Sequence, residues 1–301
     1  LRKEMATEFN LKSYLESRRL MVDEALKTSV PMEGGPDARV VEAMRYSLFA
    51  GGKRLRPILC LAAAEAVGGL PEDAMPVACA LEMIHTYSLI HDDLPSMDDD
   101  DMRRGIPTNH KVFGEAMAIL AGDGLLTEAF TLLSACGGLP ADRLLRLMGV
   151  IGTAAGHRGM VGGQVVDMLW QGRPADIGVV RYMHSKKTAA LIAASTQAGA
   201  LAAGGSREQE ECLGRYGRAV GLAFQIVDDL LDLQGDPALL GKKTGVDAAR
   251  GKATYPAAVG LERAREDAEA LVGEALESLA TFDEKAEPLR ALARYVVARK
   301  E

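Results

Sequence analysis

The chain has 301 residues, 48% hydrophobic and 26% charged, which fits a soluble globular protein with ample material for a core, folded as one large domain or two ordinary ones. Ala and Leu dominate and aromatics reach only 5%, so helices are favoured over strands. The net charge of -7 argues against nucleic acid as a general partner, and it requires any anionic ligand to find local cations or metal ions.

Leu1 to Glu4 are followed by no apolar run and are not expected to form a signal peptide; Met5 is the expected natural start, with the four preceding residues expected to be a remnant of expression. Phe9 to Leu26 carries an amphipathic pattern in Leu11, Tyr14, Leu15, Leu20, Val22 and Ala25, and predicts the first helix. Pro31 to Pro36 breaks it, and Asp37 is the expected N-cap of a helix running to Phe49. A basic turn, Gly51-Gly52-Lys53-Arg54-Leu55-Arg56-Pro57, leads into an Ala/Leu-rich helix ending at Val67. The next helix starts near Asp73 and runs through His85 into an acidic stretch, His91-Asp92-Asp93-Leu94-Pro95-Ser96-Met97-Asp98-Asp99-Asp100-Asp101, with six aspartates in ten residues and Arg103-Arg104 directly behind. Gly105 to Asn109 reads as a loop, and helical patterns follow at 112–136, 140–156, 160–171, 176–203, 207–233, 254–278 and 283–299. There is no strand alternation, fixed-period repeat or Pro/Ser-rich linker, so a single all-helical domain is expected across 1–301. No apolar run is expected to span a membrane, because charges, Gly or Pro interrupt each one. Cys60, Cys79, Cys136 and Cys212 are widely spaced in apolar, helix-like surroundings and read as buried reduced thiols, which suggests a cytoplasmic protein.

Asp228 and Asp232 are four apart on a helix, about 40° around the axis, and project from one face with Asp229 beside them. Such a set suits a hard cation; Mg²⁺ takes one or two carboxylates, keeps waters and accepts further ligands from substrate phosphates. Asp92 and Asp98 would diverge by about 120° on a regular helix. Pro95 cannot continue that helix, so the chain is expected to turn there and bring Asp98 back. The basic turn offers Lys and Arg beside glycines that let the backbone approach an anion closely, and Lys187-Thr188 at a helix start can serve a phosphate. Gly241-Lys242-Lys243-Thr244-Gly245 and Gly251-Lys252 follow the second acidic cluster, but no Walker A pattern is present, and His91, His110 and His157 lack zinc-ligand spacing.

The stretches GGKRLRP (51–57), EMIHTYSLIHDDLPSMDDDDMRRG (82–105), GGQVVD (162–167), KT (187–188), FQIVDDLLD (224–232) and GKATYP (251–256) resemble those of trans-isoprenyl diphosphate synthases, in the family's order and across nearly the whole chain. The resemblance implies an all-α fold of antiparallel helices around a deep cavity, a homodimer, and joining of isopentenyl diphosphate to an allylic diphosphate. It also implies Mg²⁺, with Mn²⁺ as an alternative, on Asp92, Asp93, Asp98, Asp228 and Asp232. Arg103, Lys187, Thr188, Gln225, Lys242 and Lys252 are then expected on the allylic diphosphate, and Lys53, Arg56, His85 and Arg104 on isopentenyl diphosphate. Tyr87 and Ser88, five and four residues before Asp92, lie about 6–7.5 Å up the helix, where a bulky Tyr87 would close the pocket. An aromatic there, with Pro95-Ser96 inserted in the first motif, looks like bacterial farnesyl diphosphate synthases, with geranylgeranyl diphosphate synthases next. A terpene cyclase needs no second diphosphate site, and a non-catalytic partner of a synthase should have lost part of the acidic set; both fit less well.

Overall fold

The computed structural model describes residues 9–32, 34–174, 176–234 and 251–299. Its elements are α1 (Leu11–Ser29), α2 (Ala38–Leu48), α3 (Leu55–Ala66), α4 (Pro71–Asp92), β1 (Met102–Arg103), β2 (Ile106–Pro107), α5 (Asn109–Phe113), α6 (Glu115–Ser134) and α7 (Ala141–Ala155). Then come α8 (Met160–Trp170), α9 (Ile177–His184), a π-helical segment (Ser185–Ala189), α10 (Ala190–Ala202), α11 (Arg207–Gln234), α12 (Tyr255–Val259), α13 (Leu261–Glu277), a 3-10 turn (Glu284–Ala286) and α14 (Glu287–Ala298). The all-α architecture read from the sequence is what the chain adopts.

Two helices form the spine. A helix that is apolar on every side has no solvent face and must be surrounded. In α3, Cys60, Leu61 and Ala64 pack into one core with α1, α2, α4, α6 and α7, while Ile58, Leu59, Ala62 and Ala63 pack into a second with α11, α13 and α14. Helix α10 is shared in the same way, through Leu191, Ala194 and Ala198 on one side and Ile192 and Ala200 on the other. Its two buried hydroxyls are satisfied within the bundle: Ser195 donates to the Leu191 carbonyl at 2.8 Å and Thr196 to the Leu213 carbonyl at 2.7 Å. All four cysteines are free thiols.

Several expectations are corrected. Asp37 makes no side-chain cap bond; α4 begins at Pro71, where the Asp73 carboxylate accepts from the Leu70 N–H at 2.9 Å. The expected helices at 112–136 and 254–278 each break at a glycine, Gly114 and Gly260, and 176–203 is interrupted by the π-helical segment. The expected loop after Arg104 is a tight hairpin, with Met102 opposite Pro107 and Arg103 opposite Ile106. Its two-residue turn, Arg104-Gly105, has positive φ at both positions (53° and 81°), the geometry that matches strand twist. Helix α6 is long and apolar enough, by length and composition, to cross a membrane, with a mean hydropathy of 1.5. Its charges are too sparse to interrupt that window, and here it is a wall of the bundle packed on α2 and α4.

Candidate active site

The first acidic motif is built by the end of a helix. Beyond Asp92 the chain turns through Pro95, and the Asp98 N–H donates back to the Asp92 carbonyl at 2.9 Å while the Asp99 N–H reaches the Leu94 carbonyl at 3.1 Å. This is the reversal expected from Pro95. The two half-buried carboxylates, Asp92 and Asp98, interact closely: burial, with repulsion from Asp98 and Asp93, pushes the Asp92 carboxyl up to about 6 against the pull of Lys187 and Arg103. Asp93 turns elsewhere. It is buried and held by Arg103, whose Nε lies 2.9 and 2.8 Å from its two oxygens and whose Nη2 lies 2.6 Å from Oδ1. Asp93 and Arg103, expected on a metal and on the allylic diphosphate, are thus bound to each other. Farther along, Asp99, Asp101 and His110 bring one ligand atom each within 4.8 Å of one another, a proximity created by the hairpin, and Asp101 is already paired with Lys111 at 2.7 Å.

The second cluster lies on the uninterrupted α11. Neighbours on a helix point about 100° apart, so Asp228 and Asp229 face different surroundings. The Asp228 carboxylate meets Arg299 at 2.7 Å, and the Arg299 guanidinium also stacks on the Phe224 ring at 3.9 Å. Asp229 is buried; it accepts from Gln225 Nε2 at 3.0 Å and from the Tyr255 backbone N–H at 2.7 Å, with His184 Nε2 at 3.4 Å. Desolvation holds the His184 imidazole down to about 4, outweighing Asp167, so His184 and Asp229 form a polar contact with a neutral ring rather than an ion pair. Asp232, one turn beyond Asp228, is buried.

Lys187 and Thr188, in the π-helical segment, connect the clusters. Lys187 Nζ sits 2.6 Å from Asp167 Oδ2; burial alone would lower its pKa, but Asp167, Asp92 and Asp98 together hold it above the usual lysine range. Thr188 Oγ1 donates to Gln225 Oε1 at 2.8 Å. Gly163 of α8 fixes this segment in place, since a Cβ there would strike the Lys187 backbone. From the far end of the chain, Lys252 Nζ comes within 3.5 Å of Asp98 Oδ2. A cavity of about 180 Å³ is lined by Asp167, His184, Lys187, Gln225, Asp229 and Lys252, among others. Lys242 lies outside the described residues.

The basic turn separates into a structural and an open part. Arg54, at φ 51°, is buried and engaged by Asp23 and Glu82, each at 2.8 Å, and by the Leu48 carbonyl at 2.7 Å. Two residues on, Arg56 has a buried Nε with no hydrogen-bond partner. Desolvation lowers its pKa to about 10, with Arg104 adding to the effect and Glu82 and Asp228 opposing it. Arg104, at the hairpin tip, donates to the Gly51 carbonyl and lies against Gly52, where a Cβ would come within 2.6 Å of its Nη1. Glycine at 52 is what lets the two basic motifs meet. Desolvation, with Arg56, Arg104, Arg103 and Arg54 nearby, holds His85 well below its ordinary pKa, and Lys53 is exposed. The result is a patch of excess positive charge with an orphaned guanidinium N–H, a site suited to an anion.

On α4 above Asp92, Tyr87 is buried at 7% exposure, edge-on to His91 with ring centroids 5.8 Å apart, and Ser88 donates to the His85 carbonyl at 2.8 Å. Asp167, His184 and Arg299 are participants that sequence reasoning did not assign, and Asp229, read there beside a cation-binding set, faces the inner network instead. Asp167 stands in the GGQVVD motif, but its pairing with a lysine twenty residues later depends on tertiary packing.

Residues 37–293 match the family described as polyprenyl synthetase. The chain is 51% identical over 293 residues to a dimethylallyltranstransferase of Fischerella ambigua (strain UTEX 1903), covering 97% of this chain and 84% of that protein. It is 51% identical over 297 residues to geranylgeranyl pyrophosphate synthase 11, chloroplastic, of Arabidopsis thaliana, covering 97% and 83%. Among solved structures, the apo FPP/GFPP synthase of Zymomonas mobilis superposes with a TM-score of 0.86 at 40% identity, covering 96% of this chain and 99% of that one. The chain therefore belongs to the polyprenyl synthetase family of prenyltransferases, the enzymes of prenyl chain elongation. A divalent metal fits the residues present. Asp92 and Asp98 offer oxygen ligands whose mutual repulsion a hard cation relieves.

Proposed function

We propose that this chain condenses isopentenyl diphosphate head-to-tail with dimethylallyl and then geranyl diphosphate, releasing diphosphate and forming farnesyl diphosphate. The observation that carries the reading is the pairing of a carboxylate-lined wall with a separate basic patch around the orphaned Arg56 Nε, which suits two diphosphates at once. A terpene cyclase has no use for the second patch.

In this reading Lys187, Thr188, Gln225, Lys252 and Arg103 orient the allylic diphosphate, with Lys242 assigned to the same group. Lys53, Arg56, His85 and Arg104 hold isopentenyl diphosphate beside it, so that its double bond faces the allylic carbon. Mg²⁺, or Mn²⁺ in its place, held by Asp92, Asp98, Asp228 and Asp232, supplies charge stabilisation for the departing diphosphate. Asp93 serves the site through Arg103. Lysines fixed by carboxylates add preorganised positive charge that needs no rearrangement as the C–O bond breaks. Tyr87 supports the farnesyl product, because a buried aromatic at that place shortens the space for the growing tail. The geranylgeranyl product is the second reading, favoured by the name of the Arabidopsis relative.

We propose further that the whole chain is one synthase domain, cytoplasmic and homodimeric. The apolar stripe Val161, Val165, Met168 and Leu169 on α8, exposed to between 43% and 51%, supports a second copy covering it, and free thiols at all four cysteines support a reducing compartment. The test is incubation with labelled isopentenyl diphosphate, dimethylallyl diphosphate and Mg²⁺. A fifteen-carbon product is expected; a twenty-carbon product selects the second reading, and no prenyl product removes both.

A further inference from the structure

On the side of α10 away from α3 and α4 lies a groove of about 1370 Å³, and none of the residues assigned above to the diphosphates lines it. Alanines make its bed: Ala190, Ala193 and Ala194 of α10, with Ala219 of α11, and Val150 of α7 at the side. Its charge is inverted relative to the chain. Seven Lys and Arg side chains line it against two carboxylates, Glu274 and Glu277, in a protein whose net charge is -7.

The cations gather at two poles. Arg143 of α7 donates to the Leu201 carbonyl, so the start of α7 lies at the end of α10 and the two helices run antiparallel. At that end Arg218 and Gln197 flank Gly214, and Arg146 joins them through its contact with Glu210. At the other end Arg158, just past α7, comes to the start of α10, where Arg181 and Lys186 precede the bed. Ser185 and Gln197, one lining each end, are separated by about 18 Å at helical rise. Arg158, Arg181, Arg215 and Arg218 have no carboxylate partner within 4 Å among the described residues.

We propose that this groove docks an acidic amphipathic helix of a partner protein. Small-molecule pockets usually span about 300–1,000 Å³, and the groove exceeds them. A ligand with one anionic head would engage one pole and leave the other bare. A helix of about 12 residues reaches both poles, and an alanine bed admits its apolar face closely, with contacts at i, i+3, i+4 and i+7. Carboxylates at its two ends meet the arginines. The wall is shared with the reaction site: Lys186 lines the groove, while Lys187, the next residue of the same π-helical segment, lines the cavity on the other side. Occupancy therefore touches the segment that positions Lys187.

The test is a display library of 14-residue helical peptides, panned on the full chain and counter-panned on Thr153→Trp, a variant at an exposed position that fills the groove. Selected peptides are expected to carry Asp or Glu at both ends around an Ala/Leu stripe. Their binding, read by fluorescence anisotropy, is expected to weaken at least tenfold in Arg215→Glu/Arg218→Glu and to return when the peptide's acids facing that pole are changed to lysine. Four results each overturn the proposal: no peptide discriminates against Thr153→Trp, the winners lack acidic ends, farnesyl diphosphate displaces them, or the double variant changes the sedimentation of the chain alone, which assigns the groove to a second copy.

Discussion

The two acidic motifs reach similar arrangements by opposite local structures. The first lies where α4 stops, and a turn through Pro95 carries Asp98 back to the Asp92 carbonyl. The second is carried on α11, which continues through it without a break. In both, one member of an adjacent pair turns inward. Asp93 is fixed by Arg103 and Asp229 by Gln225 and the Tyr255 N–H, while Asp92 and Asp228 stay half-exposed. Adjacent aspartates diverge by about 100° on a helix, so they cannot both face one cavity, and the fold uses the second of each pair to hold the wall that presents the first.

The largest effect expected from breaking this division is on stability. Asp93→Ala leaves the partly exposed Arg103 guanidinium without its closest carboxylate, and a loss of about 1.5–3 kcal/mol is expected by urea unfolding, as for a charged hydrogen-bonded pair. Asp229→Ala orphans the Gln225 side-chain and Tyr255 backbone donors and is expected to cost about 1–3 kcal/mol per group left unsatisfied, on the same measurement.

His184 sharpens the picture of the inner network through pH. Its folded pKa of about 4 lies below the ordinary 6.5, so between these values the unfolded chain binds more protons. Its contribution is full above pH 6.5 and is lost as pH falls toward 4, with a slope of at most about 1.4 kcal/mol per pH unit. His184→Gln is expected to flatten that part of the pH–stability curve measured by urea titration. Tyr87→Ala, on the helix that feeds the first motif, is expected to leave the fold intact and lengthen the product by at least one five-carbon unit on chromatography. Asp101, exposed and paired with Lys111, is the smallest case: Asp101→Asn is expected to leave both melting temperature and turnover at the wild-type level.

Much of this was legible in the chain itself. Helical periodicity and the scarcity of aromatics indicated an all-α bundle, and Pro95 between Asp92 and Asp98 indicated the reversal, because proline's constraint is local. The hairpin at 102–107 was missed, since two-residue strands leave no alternation to read. The π-helical segment was missed because its cause is tertiary, the close packing of Gly163 on Lys187. Asp93, Asp229 and Arg103 look like site residues in sequence because charge is visible there and direction is not. Arg299 gave no local signal at all; it meets Asp228 only because α14 returns to α11.

The division within each pair is tested most directly by the Mg²⁺ dependence of prenyl transfer in four variants: Asp92→Asn, Asp228→Asn, Asp93→Asn and Asp229→Asn. The first two are expected to raise the Mg²⁺ concentration for half-maximal rate at least tenfold; melting temperature is expected to change little in Asp92→Asn and to fall in Asp228→Asn, whose carboxylate also pairs with the buried Arg299. The last two are expected to lower the melting temperature while their folded fraction keeps the wild-type Mg²⁺ dependence. Wild-type stability with a tenfold shift in Mg²⁺ dependence for Asp93→Asn or Asp229→Asn would contradict the account.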